Sequence, residues 1–176
     1  MTWHKLKPAD DRCFTQTTLC YRLATPLNAP AHLVWQSLTS DASLSAWPAP
    51  PGMRLRVRWT SQRPFGVGTT REVTLPTGLV LRERFFRWEE GSGYSFYAEE
   101  SNRPGLQRFA EDYQIKADEQ GTTLHWTVAL EPTSRLVRYI GPAALFNGLS
   151  LRRTMAGARR YFGAQPSQAQ QASTYS

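Results

Sequence analysis

Two glutamates, an arginine and two tyrosines sit where strand alternation turns them toward one interior: Arg71, Glu83, Tyr94, Glu111 and Tyr113. In a strand, every second side chain shares a face. Val67, Thr69, Arg71, Val73 and Leu75 form one such set, and beyond the turn Pro76-Thr77-Gly78 so do Leu79, Leu81, Glu83 and Phe85. Tyr94, Phe96 and Ala98 form a third, and Phe109, Glu111, Tyr113 and Ile115 a fourth. An unpaired charge inside an apolar sheet is costly, so Arg71 is expected to pair with a glutamate, Glu83 on the neighbouring strand first. The same groups suit the polar end of a mostly apolar ligand. They also suit catalysis, with a glutamate of raised pKa as base and Arg71 or a tyrosine hydroxyl stabilising an enolate.

Other chemistry is thinly represented. The neighbours Glu89-Glu90, Glu99-Glu100 and Glu111-Asp112 look like catalytic pairs, but adjacent strand residues project to opposite faces, so at most one of each serves an interior and most read as solvated strand ends. There is no Gly-x-Ser-x-Gly elbow, phosphate loop or His-Glu-x-x-His, and Gly66-Val67-Gly68 is too short to mean nucleotide binding. Cys13 and Cys20, seven apart, fall on opposite faces of a regular strand and are not expected to bond. With His4, His32 and His125 they lack metal-site spacing, so neither metal nor cofactor is expected.

The elements that must position these groups follow from periodicity. A first strand is predicted over Phe14 to Thr25, then a short helix opened by Asn28-Ala29-Pro30 and a helical turn over Ser40 to Trp47. From Met53 to Leu130 every periodic segment reads as strand. Met53, Leu55, Val57 and Trp59 alternate with Arg54, Arg56 and Arg58, and Leu124, Trp126, Val128 and Leu130 place His125 outward. After Pro132 helical spacing returns, and Ala144, Gly148, Leu151, Met155, Ala158 and Phe162 form one narrow stripe. Gly141-Pro142 is expected to break or kink this segment, leaving a short piece over Ser134 to Ile140 and either a loop correction or a hinge. Trp35, Trp47, Trp59, Phe85, Phe96, Leu151 and Met155 line a ligand pocket or simply fill the core.

Length and composition suit one globular domain: 176 residues, 40% hydrophobic and 12% aromatic. No apolar run of about 18 residues could span a bilayer, and the polar start from Met1 to Cys13 is no secretory signal, which makes the cytosol the default location. The tail from Ala164 to Ser176, rich in Gln, Ser and Ala, reads as disordered. Charge is uneven. Residues 1–131 hold 15 basic and 14 acidic residues, while residues 132–176 hold six arginines and no acid. Arg152, Arg153, Arg159 and Arg160 fit a solvated helix face, or attraction to an anionic membrane surface or an acidic partner. No nucleic-acid motif accompanies them.

Four segments carry a family resemblance: Ala29-Pro30-Ala31-His32-Leu33-Val34-Trp35, Trp47-Pro48, Gly66-Val67-Gly68-Thr69 and Gly121-Thr122-Thr123-Leu124-His125-Trp126. In this order the chain resembles the START-like (SRPBCC) superfamily of polyketide cyclase/dehydrase and lipid-transport proteins, over roughly residues 14–162. The resemblance implies an α+β helix-grip fold: a curved antiparallel sheet wrapped around a long C-terminal helix, with two short helices after the first strand. It also implies a cavity between sheet and helix for a small hydrophobic or amphipathic molecule. It implies no single reaction, since the superfamily includes carriers, cyclases and hydrolases, so binding protein and cofactor-independent cyclase or dehydratase both stay open. Residues 1–13 are then an N-terminal extension, 14–162 the ligand-binding domain and 163–176 a tail.

Overall fold

The computed structural model describes residues 2–17, 19–47, 55–118, 121–134 and 140–163. Its strands are β1 His4–Lys5, β2 Leu19–Leu27, β3 Arg56–Trp59, β4 Thr70–Thr74, β5 Val80–Glu89, β6 Gly93–Ser101, β7 Leu106–Asp118 and β8 Gly121–Pro132. The helices are α1 Cys13–Gln16, α2 Ala31–Thr39 and α3 Ile140–Gly163, with a 3-10 turn at Ser43–Ala46. All strand pairings are antiparallel in the order β2-β8-β7-β6-β5-β4-β3, and β1 joins β6. Three register shifts, two between β5 and β6 and one between β7 and β8, interrupt the regular ladders, and such bulges bend a sheet.

One face of this sheet carries the main core. Val34, Trp35 and Leu38 of α2 meet Phe85, Tyr94, Phe96, Tyr113, Ile115, Leu124, Trp126 and Val128 there, closed by Met155, Ala158 and Phe162 of α3. Of the stripe predicted on the last helix, Met155, Ala158 and Phe162 are buried and Leu151 packs against the same core half-buried. Gly148 of α3 faces β2, where a Cβ would make ordinary contact with the Tyr21 ring at 3.7 Å. Pro142 lies in the first turn of α3, where a missing N–H costs no helical hydrogen bond. The preceding piece, residues 135–139, the loop Ala49-Pro50-Pro51-Gly52, Met53, Arg54 and the tail from Ala164 lie outside the described residues.

The structure corrects several expectations. Residues 13–16 are helical and the strand starts at Leu19, not Phe14. Asp10 Oδ1 accepts the Arg12 N–H at 3.0 Å, starting a local turn that competes with strand, and the hydroxyls of Thr15 and Thr17 bond back to carbonyls of Arg12 and Cys13. Val67 does not face inward. It is 70% exposed, because Gly68 at φ +90° turns the chain before β4 begins.

The segment read as an extension packs on the opposite face, where Ala9, Cys13 and Phe14 meet Tyr97, Ala110 and Ala129. Under it lies Asp112, outward as alternation predicts yet buried rather than solvated. It accepts hydrogen bonds from Ser95 at 2.8 Å and Gln114 at 3.0 Å and pairs with Arg87, which also reaches Asp11 at 3.0 Å.

Candidate functional site

Strand register assembles the predicted polar set. Arg71 and Glu83 are direct partners between β4 and β5, and Arg71 Nε donates to Glu83 Oε2 at 2.7 Å. Both are buried, at 1% and 3% exposure. Four rings surround the guanidinium: Phe96 at 4.4 Å, Phe85 at 5.1 Å, Trp59 at 5.4 Å and Tyr94 at 5.8 Å, a desolvated setting in which cation–π attraction offsets part of the burial cost. Burial opposes the charge of Arg71, but the Glu83 carboxylate holds its pKa above the usual value. Burial likewise raises Glu83, and Arg71 opposes that shift. An arginine that does not release its proton keeps the two together as an ion pair.

Two atoms in this set have no hydrogen-bond partner: Arg71 Nη1 and Tyr94 Oη. Burial raises the Tyr94 phenol to about 12, so the hydroxyl keeps its proton. Next along the sheet, Glu111 Oε2 accepts from Tyr113 Oη at 2.8 Å and Trp126 Nε1 at 3.0 Å. Burial, reinforced by Glu83, raises Glu111 to about 8, so this carboxyl is mostly protonated at neutral pH. Tyr113 rises well above 10, from burial and then from Glu111. The rings of Tyr94, Tyr113 and Trp126 follow one another at 5.2 and 5.4 Å, joining the two polar groups through an aromatic wall. The interior is thus close to neutral, lined by flat rings, with one spare cationic donor and one spare hydroxyl.

Trp88 and Glu90 were missed by alternation. From Leu79 to Phe85 odd positions face inward, which would turn Trp88 outward. A register shift between Phe85 and Arg87 inserts an extra residue, so Trp88 pairs with the inward Tyr94 and stacks on it at 5.6 Å. Glu90, read as a solvated strand end, accepts Trp35 Nε1 at 2.8 Å and Trp88 Nε1 at 2.9 Å. It clamps α2 to the β5–β6 hairpin beside the aromatic wall. Phe65, on the β3–β4 loop, stacks on Trp59 at 4.3 Å and also escapes periodicity. Trp47 stands apart, with its indole on Ser37 Oγ at 3.1 Å and its edge against Phe162. Among the described residues no cluster of His, Cys, Asp and Glu could hold a metal ion, and both cysteines are free thiols.

The family model for polyketide cyclase / dehydrase and lipid transport matches residues 4–163. The chain belongs to this family. Uncharacterized proteins of Mycobacterium tuberculosis (Rv2574) and Mycobacterium bovis (Mb2604) are 38% identical over 137 residues, covering 74% of this chain and 78% of theirs. Among solved structures, protein MLL2253 from Mesorhizobium loti is similar at TM-score 0.62 and 13% identity, over 85% of this chain and 100% of that one. Protein CV1439 from Chromobacterium violaceum is similar at TM-score 0.55 and 18% identity, over 80% and 96%. DynU16, a putative protein in the dynemicin biosynthetic locus, is similar at TM-score 0.61 and 14% identity, over 82% of this chain and 47% of that one. These likenesses show the helix-grip fold.

In a polyketide cyclase / dehydrase and lipid transport protein, family and fold together suggest a hydrophobic ligand-binding cavity between sheet and helix. Among the twelve predicted site residues, Arg71, Glu83, Phe85, Tyr94, Phe96, Glu111, Tyr113 and Trp59 form one constellation, and Trp35 joins it through Trp88 and Tyr94. Met155 and Leu151 come from α3 and each also lines one of two open grooves between α3 and β2, of about 310 and 560 Å³. The polar set lines neither groove. No helix among the described residues is long and apolar enough to cross a membrane.

Proposed function

We propose that the protein binds one small hydrophobic or amphipathic molecule between the sheet and α3. The ligand's apolar body lies against the aromatic wall, and its polar end meets Arg71 and Tyr94. The observation that carries this reading is two buried polar atoms, Arg71 Nη1 and Tyr94 Oη, neither of which makes a well-formed hydrogen bond within the protein, in side chains that interact electrostatically. Buried polar groups are normally satisfied, so a ligand oxygen that accepts from both would remove a standing cost. Apolar burial would supply most of the affinity, at about 25 cal/mol per Å² removed from water. Arg71, Glu83, Glu111 or Tyr113 selects the polar end. A near-neutral interior favours carbonyl and hydroxyl groups over free ions.

Tyr94→Phe tests this with two readouts. It deletes an unpartnered buried hydroxyl while keeping the ring, so the ligand-free protein should gain about 1–3 kcal/mol in urea denaturation, while affinity for an aromatic probe such as 1-anilinonaphthalene falls. A variant that loses stability and binds the probe unchanged would show that the hydroxyl already has a structural partner. That result would remove the basis for the site.

The position of Glu111 favours a second reading, in which the same interior catalyses a cyclisation or dehydration. A carboxyl at about 8 that accepts from Tyr113 can exchange a proton near neutrality. Glu111→Gln would then abolish turnover and leave affinity nearly intact. A pure carrier has no turnover to lose.

A further inference from the structure

Most arginines on the sheet and its loops have a carboxylate partner: Arg58, Arg63, Arg71, Arg82, Arg84, Arg87 and Arg108 each pair with one, while Arg22 and Arg103 reach backbone carbonyls. On α3, Arg152, Arg153 and Arg159 are exposed, and among the described residues none of them pairs with one. No acid follows Glu131 in the sequence, so a carboxylate partner for them would have to come from another element.

The two grooves between β2 and α3 share Arg22, Leu23 and Arg152, so they form one trough along the outer seam. Arg152 and Arg159, seven residues apart, repeat on one side of the helix. Arg22 closes the other side, its Nη2 held on the Phe14 carbonyl at 2.5 Å. Leu23, Leu151 and Met155 contribute aliphatic surface to the trough, and no carboxylate lines it. At one end Leu149 is 46% exposed, one turn before Arg152 and Arg153.

We propose that this trough and the helix face above it dock on the headgroups of an anionic lipid bilayer. The arginines meet phosphate groups, and Leu149 enters between them. Unpaired arginines have no internal salt bridge to break on docking, and each basic group near an anionic leaflet strengthens binding. Aliphatic surface in the trough and an exposed leucine add apolar contact, which a bilayer interface rewards. Nucleic acid fits less well, because the trough offers one ring, Tyr21, where strand binding uses several for stacking. The polar set of the interior takes no part, so docking stands independently of the proposed ligand.

The test is co-sedimentation of the full chain with vesicles of phosphatidylcholine alone and of phosphatidylcholine mixed with phosphatidylglycerol, at low and high salt. Binding should require the anionic lipid and weaken with salt. The double variant Arg152→Gln with Arg159→Gln should bind about 30-fold more weakly, at about 1 kcal/mol per arginine, with an unchanged Tm because both side chains are exposed. Leu149→Ser should weaken binding further, and Tyr94→Phe should bind vesicles like the parent. Equal binding to neutral vesicles, no binding to either, an unaffected double variant, or tighter binding to a single-stranded oligonucleotide than to anionic vesicles would each overturn the proposal.

Discussion

Glu111 should make this protein lose stability as pH rises through neutrality, and Glu111→Gln should abolish that loss. Unfolded, the carboxyl titrates near its ordinary 4.5; folded, burial raises it to about 8. Between those values the folded protein holds a proton that the unfolded chain has released. Unfolding therefore becomes easier with increasing pH, by up to about 1.4 kcal/mol per pH unit. The stabilisation is fully present below the unfolded value and is gone above the folded one. From pH 5 to 7.5 the loss works out at about 3 kcal/mol, or roughly 6–12 °C in Tm for a chain of this size. Glutamine keeps the volume and the acceptor for Tyr113 and Trp126 but does not titrate. The assay is urea denaturation of both proteins at several pH values, read as the difference between them, which cancels the other titrating groups. The parent should be comparable to the variant near pH 5 and clearly weaker than it above pH 8. A difference that stays flat would mean that Glu111 ionises freely in the folded state, which a buried, near-neutral interior does not allow.

Breaking the buried ion pair on one side, by Arg71→Met or Glu83→Gln, should cost about 3–5 kcal/mol, whereas Arg71→Met with Glu83→Leu should recover most of it; urea midpoints of the single and double variants decide. Glu90→Ala removes the acceptor of two indoles and should cost about 1–2 kcal/mol, with a shift in tryptophan emission as Trp35 and Trp88 are freed. Gly93→Ala should lower the Tm more than any surface substitution, since its Cβ would stand 2.2 Å from the Tyr113 carbonyl oxygen, in the strand that carries Glu111.

Much of this site was legible from alternation alone. Arg71, Glu83, Tyr94, Glu111 and Tyr113 face inward because β4 and β7, and β6 over the stretch holding Tyr94, keep a period of two through those positions, and the Arg71–Glu83 pairing follows from a tight turn between adjacent strands. Trp88 was lost where a bulge in β5 reverses the alternation; single-residue insertions are a property of pairing and leave no mark in one strand's own pattern. Val67 leaves the inward face for a related reason, since the turn at Gly68 separates it from the alternation that starts in β4. The burial of Asp112 depends on the N-terminal segment crossing the far face, a contact more than 90 residues distant in sequence. The helix arginines were legible as charge. That Arg152, Arg153 and Arg159 have no carboxylate partner among the described residues is visible only in the structure.

Native mass spectrometry of the purified full chain, followed by solvent extraction, tests the central claim most directly. The account predicts one apolar molecule per chain, carrying a carbonyl or hydroxyl group and displaced or weakened in Tyr94→Phe. A chain that emerges bare and takes up nothing from a total organic extract of cells, with Arg71 and Tyr94 still buried, would contradict it. The polar set would then be a structural feature of a filled core.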